Sequence, residues 1–411
     1  MLSVNRIQNR DYLVNLAQED YYEIGGEPPG KWHGNGATFL GLNHLVRREE
    51  LHQLMDGYHP LVPGKKLVQN AGRYKREIGW DFTFSVPKSV SVIWSQASPN
   101  LRKAIAQTQE SSVRKTLNFL EEQTTTRRGK GGAIREPAKL VTAIFEHGTS
   151  RELDPNLHSH TVVLNLGIRP SDNTSGAIQI NDLLTYKMLA GALYRAELGR
   201  QLCKNLGFKI GTHQGSKPEL WDIKGVDESL IDTFSKRRKQ IQEQLQHKGL
   251  KSAVAASIAA LDTRIEKKNI NRKELFSVWQ GIGRSFHYRP PAPKFTQQDV
   301  EAAKDTLGQE GIESLLEEGS SFTQDELMRF ISERAPQAGL GIDDIKDATQ
   351  RALMRKGLVY LGDLGNGDRY TTQTIHRQAK DALSRLGIDK PSKKIQVPLQ
   401  PEKEPQLHLH L

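Results

Sequence analysis

Two apolar runs, LVTAIFEHGTS (140–150) and HSHTVVLNLGI (158–168), are joined by only seven residues, RELDPNL, and this constrains the fold more than any other stretch. Parallel strands need a crossover of a dozen residues or more, so the two runs are expected to pair antiparallel. Upstream, WDFTFSVPKSVSVIWS supplies a further strand, in which Phe82, Phe84 and Val86 alternate with Asp81, Thr83 and Ser85. Pro87 interrupts it. The following KSVSVIW reads as a strand or as the start of a helix, with Ser85 a candidate N-cap and Pro87 in the first turn. Residues 100–123 and 182–206 carry apolar stripes at helical spacing, and Gly207 stands where a C-cap belongs. Residues 226–288 read as helical and charged, and a helix is also expected over about 11–23. The basic, Gly-rich TTTRRGKGGAIREP is expected as an exposed loop or hairpin, and RPPAPKF (289–295) as a linker. These elements specify an α+β chain with an antiparallel sheet and helices packed on it.

Further on, FTQDELMRFISERA, IDDIKDATQRALMRKGLVYLG and DRYTT give helix, helix and a short strand pair over 322–372, the order of a winged helix. Thr323 and Glu326 form a capping box there. The expected division is 1–290, a connection over 291–321, a winged-helix-like unit over 322–375, and a largely disordered, proline-bearing tail over 376–411.

The sharpest chemical signal is His147 followed by His158-Ser159-His160. Residues i and i+2 of a strand share a face, so His158 and His160 project together, and His147 ends the preceding strand. Three imidazoles on paired strands make a facial metal site with open positions. A divalent cation held there can take a phosphate oxygen and polarise the phosphorus. The plain alternative is three ordinary sheet histidines, because a bare His-x-His is weak. His408 and His410 repeat the spacing in the tail and carry no weight. Asp81 either orients a ligating histidine or helps deprotonate a nucleophile, or else is a strand-end carboxylate facing solvent. Tyr12, Tyr21 and Tyr22 are phenols able to attack phosphorus, although most tyrosines are packing residues.

Lysine and arginine total 58 against 48 acids, a formal charge of +10, which favours a polyanionic partner. Arg127, Arg128, Lys130 and Arg135, and the run Lys236 to Lys239, are candidate phosphate contacts or simply solvated faces. Trp32, Phe39, Trp80 and Trp94 are either base-stacking or core residues. A single cysteine, Cys203, excludes an intramolecular disulfide and cysteine-rich zinc sites, and fits a reducing, cytoplasmic setting. Neither a membrane-spanning apolar run nor an N-terminal signal core is present, so no membrane insertion is expected. Without G-x-x-x-x-G-K-[ST], ATP hydrolysis has no support.

Together WDFTFSVPKSVSV (80–92) and FEHGTSRELDPNLHSHTVVLN (145–165), with the weaker MLSV, KWHGNGATFLGL and ALYRAELGRQL, resemble the TrwC/TraI-type (MobF) conjugative relaxases of the HUH endonucleases, over about residues 1–290. The resemblance implies an antiparallel-sheet HUH palm with packed helices and helical fingers over the DNA. It implies a metal-dependent, strand- and site-specific nickase and strand transferase that works at a plasmid origin of transfer through a 5′-phosphotyrosine. His147, His158 and His160 match the metal triad and Asp81 the acidic motif residue. Lys88 and Arg151 fall at phosphate- or DNA-contact positions. Tyr12 is preferred as first nucleophile, with Tyr21 or Tyr22 second. The ion is expected to be Mg²⁺ or Mn²⁺, with Zn²⁺ or Ni²⁺ also compatible. The partners implied are single-stranded and hairpin origin DNA, with accessory relaxosome proteins and a coupling protein. The segment 322–372 resembles the winged-helix-like piece that leads into a helicase, and the expectation is a relaxase without its motor, a truncated product or an engineered piece. A rolling-circle replication initiator of the HUH type and a non-catalytic winged-helix regulator are the alternatives.

Overall fold

In the computed structural model, the described residues are 1–8, 27–212, 220–247, 271–296, 298–363, 365 and 367–385. Tyr12, Tyr21 and Tyr22, the helix expected over 11–23, and the tail beyond 385 lie outside them.

The chain opens with β1 (Leu2–Arg6), β2 (Lys31–His33), α1 (Asn35–Phe39), α2 (Arg48–Asp56) and β3 (Gly79–Ser85). Then come α3 (Lys88–Gln96), α4 (Pro99–Glu122), β4 (Thr125–Arg128), β5 (Ile134–Pro137), β6 (Lys139–Thr149) and β7 (Pro155–Ile168). After these follow β8 (Ser175–Gly176), α5 (Ile180–Thr185), α6 (Lys187–Leu206), β9 (Ile210–Thr212), β10 (Trp221–Ile223), α7 (Glu228–Thr233), α8 (Lys236–His247) and α9 (Arg272–Ser285). The main sheet has the order β1-β3-β7-β6-β2, with β8 added to β7, and its pairs are antiparallel.

Period-two alternation sorts the strand residues between two layers. Phe82 and Phe84 of β3 and Val163 of β7 face one cluster, which α3, α4 and α6 cover. The opposite face buries Val162, Leu164, Leu166 and Ile168 under α1, α2 and the segment up to Ile78. Each fully buried Phe contributes about 1.5–3 kcal/mol. The ring of Tyr194 of α6 packs tilted against Phe84, centroids 5.1 Å apart, and its hydroxyl donates to Gln109 of α4. Gln109 in turn donates to the Phe84 carbonyl at 3.0 Å, so the helical layer is keyed to the sheet by satisfied polar groups.

Several local expectations change. Ser85 ends β3 and does not cap α3; the cap position is Pro87, without a side-chain bond. The fixed φ of proline, set just ahead of the helix, starts the turn instead. The helix expected over 182–206 breaks at Tyr186, where α5 ends and α6 begins, while Gly207 does close α6 in the left-handed region. Trp32, Trp80 and Trp94 are core residues, whereas Phe39 is half exposed.

The C-terminal part contains α10 (Val300–Glu318), β11 (Phe322–Thr323), α11 (Gln324–Ala338), α12 (Ile342–Leu353), the hairpin β12 (Leu358–Asp363) and β13 (Asp368–Thr372), and α13 (Gln373–Arg385). The small sheet runs β11-β13-β12, and Thr323 and Glu326 form the capping box. The helical order and the hairpin are those of a winged helix. The tail expected from 376 instead begins inside α13, whose amphipathic pattern extends to Arg385. This unit rests on α6 and α4, on the helical side of the sheet. Lys115 pairs with Asp343 at 2.8 Å and Lys346 with Glu122 at 2.6 Å.

Candidate metal centre

The register of β6 and β7 places His147 directly opposite His158. Alternation then puts His160 beside them, and Thr83 of β3 opposite His160. The ring centroids of the three histidines lie 5.4, 4.9 and 5.0 Å apart. One nitrogen from each lies within 4.8 Å of the others. Nitrogens bound at about 2.1 Å to one ion stand about 3–3.5 Å apart, so small ring rotations close the set.

Two hydrogen bonds fix which nitrogens are presented. His158 Nδ1 donates to the Asn156 carbonyl at 2.7 Å, because a carbonyl can only accept. Asp81 Oδ2 accepts from His160 Nδ1 at 2.7 Å, with the Thr83 hydroxyl at 3.3 Å. Both bonds leave Nε2 as the lone-pair atom, the orientation a ligating histidine needs. The donor set of neutral imidazoles backed by a carboxylate therefore suits a divalent ion. Asp81 Oδ1 is buried and has no hydrogen-bond partner among the described residues.

The surroundings hold the strand ends rigid. Gly148 follows His147, and a Cβ there would stand 2.5 Å from the Trp94 ring. Its N–H donates to Glu27 at 3.1 Å. Arg272, the first residue of α9, pairs with Glu27 at 2.9 Å and with Glu146 at 2.8 Å. Leu153 in the β6–β7 turn adopts φ 62, a costly conformation for a non-glycine residue. Trp279 Nε1 donates to its carbonyl at 2.9 Å and holds it there.

Positive charge collects at the same turn. Arg151 lies within it, and buried Asp154 accepts from the Lys236 N–H at 2.9 Å, anchoring the basic helix α8 beside it. Burial raises the Asp154 carboxyl above the usual range against the pull of Lys88 and Lys236. Lys88 donates to the Pro155 carbonyl at 2.7 Å, and burial pulls its ammonium down to about 8. It braces the first residue of β7.

Of the residues singled out in the sequence, the fold brings together Asp81, His147, His158 and His160, with Lys88 and Arg151 near them. Arg127 and Arg128 lie elsewhere. Arg128 pairs with Asp172 at 2.6 Å and Glu136 at 3.3 Å, and the Arg127 carbonyl accepts from Arg169. Arg169 is nine residues along the chain from His160, or roughly 30 Å at the strand rise. Glu27, Glu146 and Arg272 were not anticipated. Glu27 and Arg272 are 245 residues apart, and no local pattern links them.

An antiparallel sheet carrying three converging histidines on one face, with Asp81 and the Asn156 carbonyl fixing two of their rings, defines a protein of the class that can hold a divalent ion. The TrwC relaxase family model matches residues 7–285, and the chain belongs to that family. Among curated relatives, the multifunctional conjugation protein TraI of Escherichia coli is 28% identical over 388 residues, covering 88% of this chain and 21% of the relative. TraI of Escherichia coli strain K12 is 29% identical over 290 residues, covering 68% of this chain and 16% of the relative. The chain thus spans about a fifth of the length of the curated relatives it matches. A copper-bound structure of the conjugative relaxase TrwC in complex with OriT DNA superposes with TM-score 0.62 at 30% identity, covering 71% of this chain and all of that one. TrwC complexed with a 27-mer comprising the recognition hairpin and the cleavage site gives 0.60 at 28% identity over the same shares. Among the described residues, no helix is long and apolar enough to cross a membrane.

If Asp81 orients His160, replacing it with asparagine should weaken divalent-ion binding by about 10- to 100-fold in calorimetric titration while leaving the melting temperature nearly unchanged. Equal affinities would remove that role.

Proposed function

We propose that this chain is a metal-dependent, site- and strand-specific DNA nickase and strand transferase acting at a plasmid origin of transfer, through a covalent 5′-phosphotyrosine. The observation that carries this reading is the His147–His158–His160 triad backed by Asp81, in a chain of the TrwC relaxase family. A divalent cation there, Mg²⁺ or Mn²⁺ in this reading and with Zn²⁺ or Ni²⁺ also suited to imidazole, would withdraw charge from the scissile phosphate.

The remaining steps belong to the chain. His158 and His160 present Nε2 in fixed tautomers, set by Asn156 and Asp81. The Tyr12 phenol attacks phosphorus, the bond from phosphorus to the 3′ oxygen breaks, and a 5′-phosphotyrosine and a free 3′-OH result. Oδ1 of Asp81, buried and without a hydrogen-bond partner among the described residues, supports a role as acceptor of the phenolic proton. One phosphodiester replaces another, so the step is reversible and needs no ATP. Tyr21 or Tyr22 would act second, to end transfer. Ile7 donates to the Gly79 carbonyl at the head of β3, and Glu27 accepts from Gly148 beside the triad.

Arg151, Lys88, Arg127 and Arg128 are the proposed DNA contacts, with single-stranded and hairpin origin DNA as substrate, accessory relaxosome proteins and a coupling protein as partners, and the cytoplasm as setting. Against a winged-helix regulator stands the placement of α12, whose first turns are engaged with Lys115 and Glu122 of α4 rather than open to a DNA groove.

The test is a denaturing gel of labelled origin oligonucleotides with Mg²⁺ or Mn²⁺. A band shifted by the mass of the protein and abolished by EDTA is expected, and Tyr12→Phe should remove it. An adduct formed by that variant at the wild-type rate would overturn the nucleophile assignment.

A further inference from the structure

We propose that Tyr74 is a stacking platform for an unpaired base of single-stranded DNA, set on a basic turn between the histidine triad and the β4–β5 hairpin. The proposal deepens the function above and rests on it for the identity of the strand.

Tyr74 is 96% exposed. A lone exposed aromatic is unremarkable by itself; its setting is what points to a ligand. Residues 57–76 include Lys65, Lys66, Arg73, Lys75 and Arg76 and no acidic residue. Arg76 is buried and spends its guanidinium on the carbonyl oxygens of Met55 and Asn165 and on Asn70 Oδ1, at 3.0–3.1 Å. The other four cations are exposed and have no ion pair among the described residues. Arg73 and Lys75 flank Tyr74 directly.

The turn is built rather than loose. Arg73 N–H donates to Asn70, Arg76 N–H to Arg73 and Gly72 N–H to Asp56. Gly72 has φ +74, and a Cβ on it would stand 2.6 Å from Tyr58 Oη. Tyr58 also bridges to Lys66, so the lysine hairpin and the tyrosine turn share one support. A platform fixed in advance loses little entropy on binding.

Its place on the sheet fits a strand that runs to the triad. Asn165, which Arg76 grips, lies five residues along β7 from His160, roughly 17 Å at the strand rise. On the other side the Leu67 carbonyl accepts from Ser175 of β8, next to Arg169, which holds the Arg127 carbonyl. Exposed cations with an aromatic between them neutralise phosphates and stack bases without sequence preference.

The measurement is fluorescence anisotropy of a labelled 20-mer of deoxythymidine, and of an abasic backbone of equal length, with the full chain. Tyr74→Ala should weaken binding of the thymidine oligomer about 5- to 100-fold, and Tyr74→Phe should retain it. The abasic strand should bind both proteins equally. Joint replacement of Lys65 and Lys66 by alanine should lower the slope of log affinity against log salt by about 1.4. Unchanged affinity of Tyr74→Ala for thymidine, or an equal loss on the abasic strand, overturns the platform. A wild-type chain that forms the covalent origin adduct while Tyr74→Ala binds normally overturns the platform alone. A chain that binds through Tyr74 but forms no adduct keeps the platform and removes the proposed nickase.

Discussion

His158→Ala should greatly weaken divalent-ion binding and with it adduct formation, while the protein stays folded. His158 is the central histidine of the triad, opposite His147 in register and two residues from His160. Losing one of three imidazoles leaves a two-nitrogen site. Since removal of a supporting partner alone typically costs 10- to 100-fold, direct removal should lower affinity by more than about 100-fold. A bound cation supplies several kcal/mol of charge stabilisation to phosphoryl transfer, so nicking should fall by on the order of 10³. Calorimetric titration with Mn²⁺ and the denaturing gel read the two effects separately. A variant that nicks within tenfold of wild type would take the triad out of the chemistry.

Glu197→Ala should be the most destabilising of the single changes considered. Glu197 of α6 is fully buried, and its carboxylate accepts from Arg200, Gln201 and the N–H of Ile342 at the start of α12, with the Lys115 ammonium at 3.3 Å. Burial pushes this carboxyl up, but the hydrogen bond and charge of Arg200, with Gln201 and Ile342, outweigh it and hold it at about 2. Removing the carboxylate leaves the Ile342 N–H and the Arg200 guanidinium without their acceptor, at a cost of about 3–5 kcal/mol. Denaturant unfolding checks this. The pH dependence has a definite sign: the folded value lies below the unfolded one, near 4.5, so the stabilisation is complete above about 4.5 and disappears as pH falls towards 2. Because the network joins α6 to α12, Glu197→Ala should also make the C-terminal unit more sensitive to limited proteolysis. Unchanged stability at neutral pH would show that the two parts hold together by apolar packing alone.

The same network explains why the two parts were not legible as one body. Lys115 and Asp343 are 228 residues apart and Lys346 and Glu122 are 224 apart, and each alone looks like an ordinary surface charge. The helix break at Tyr186 was equally hidden, because the apolar stripe runs through it without interruption. Arg127 and Arg128 share a basic character with Arg151, yet strand length sets them at opposite ends of β7.

What the sequence determined by itself was local and periodic. Alternation in β3, β6 and β7 and the short β6–β7 link dictated an antiparallel sheet, and i, i+2 spacing put His158 and His160 on one face. The capping box at Thr323 and the left-handed Gly207 were likewise written in neighbouring residues. Only the tertiary structure decided that His147 stands opposite His158, that Asp81 reaches His160 from the next strand, and that Glu27 and Arg272 brace the site from segments 245 residues apart. Periodicity is a property of adjacent residues, whereas register, long-range ion pairs and exposure such as that of Tyr74 depend on which distant surfaces the packed core brings together.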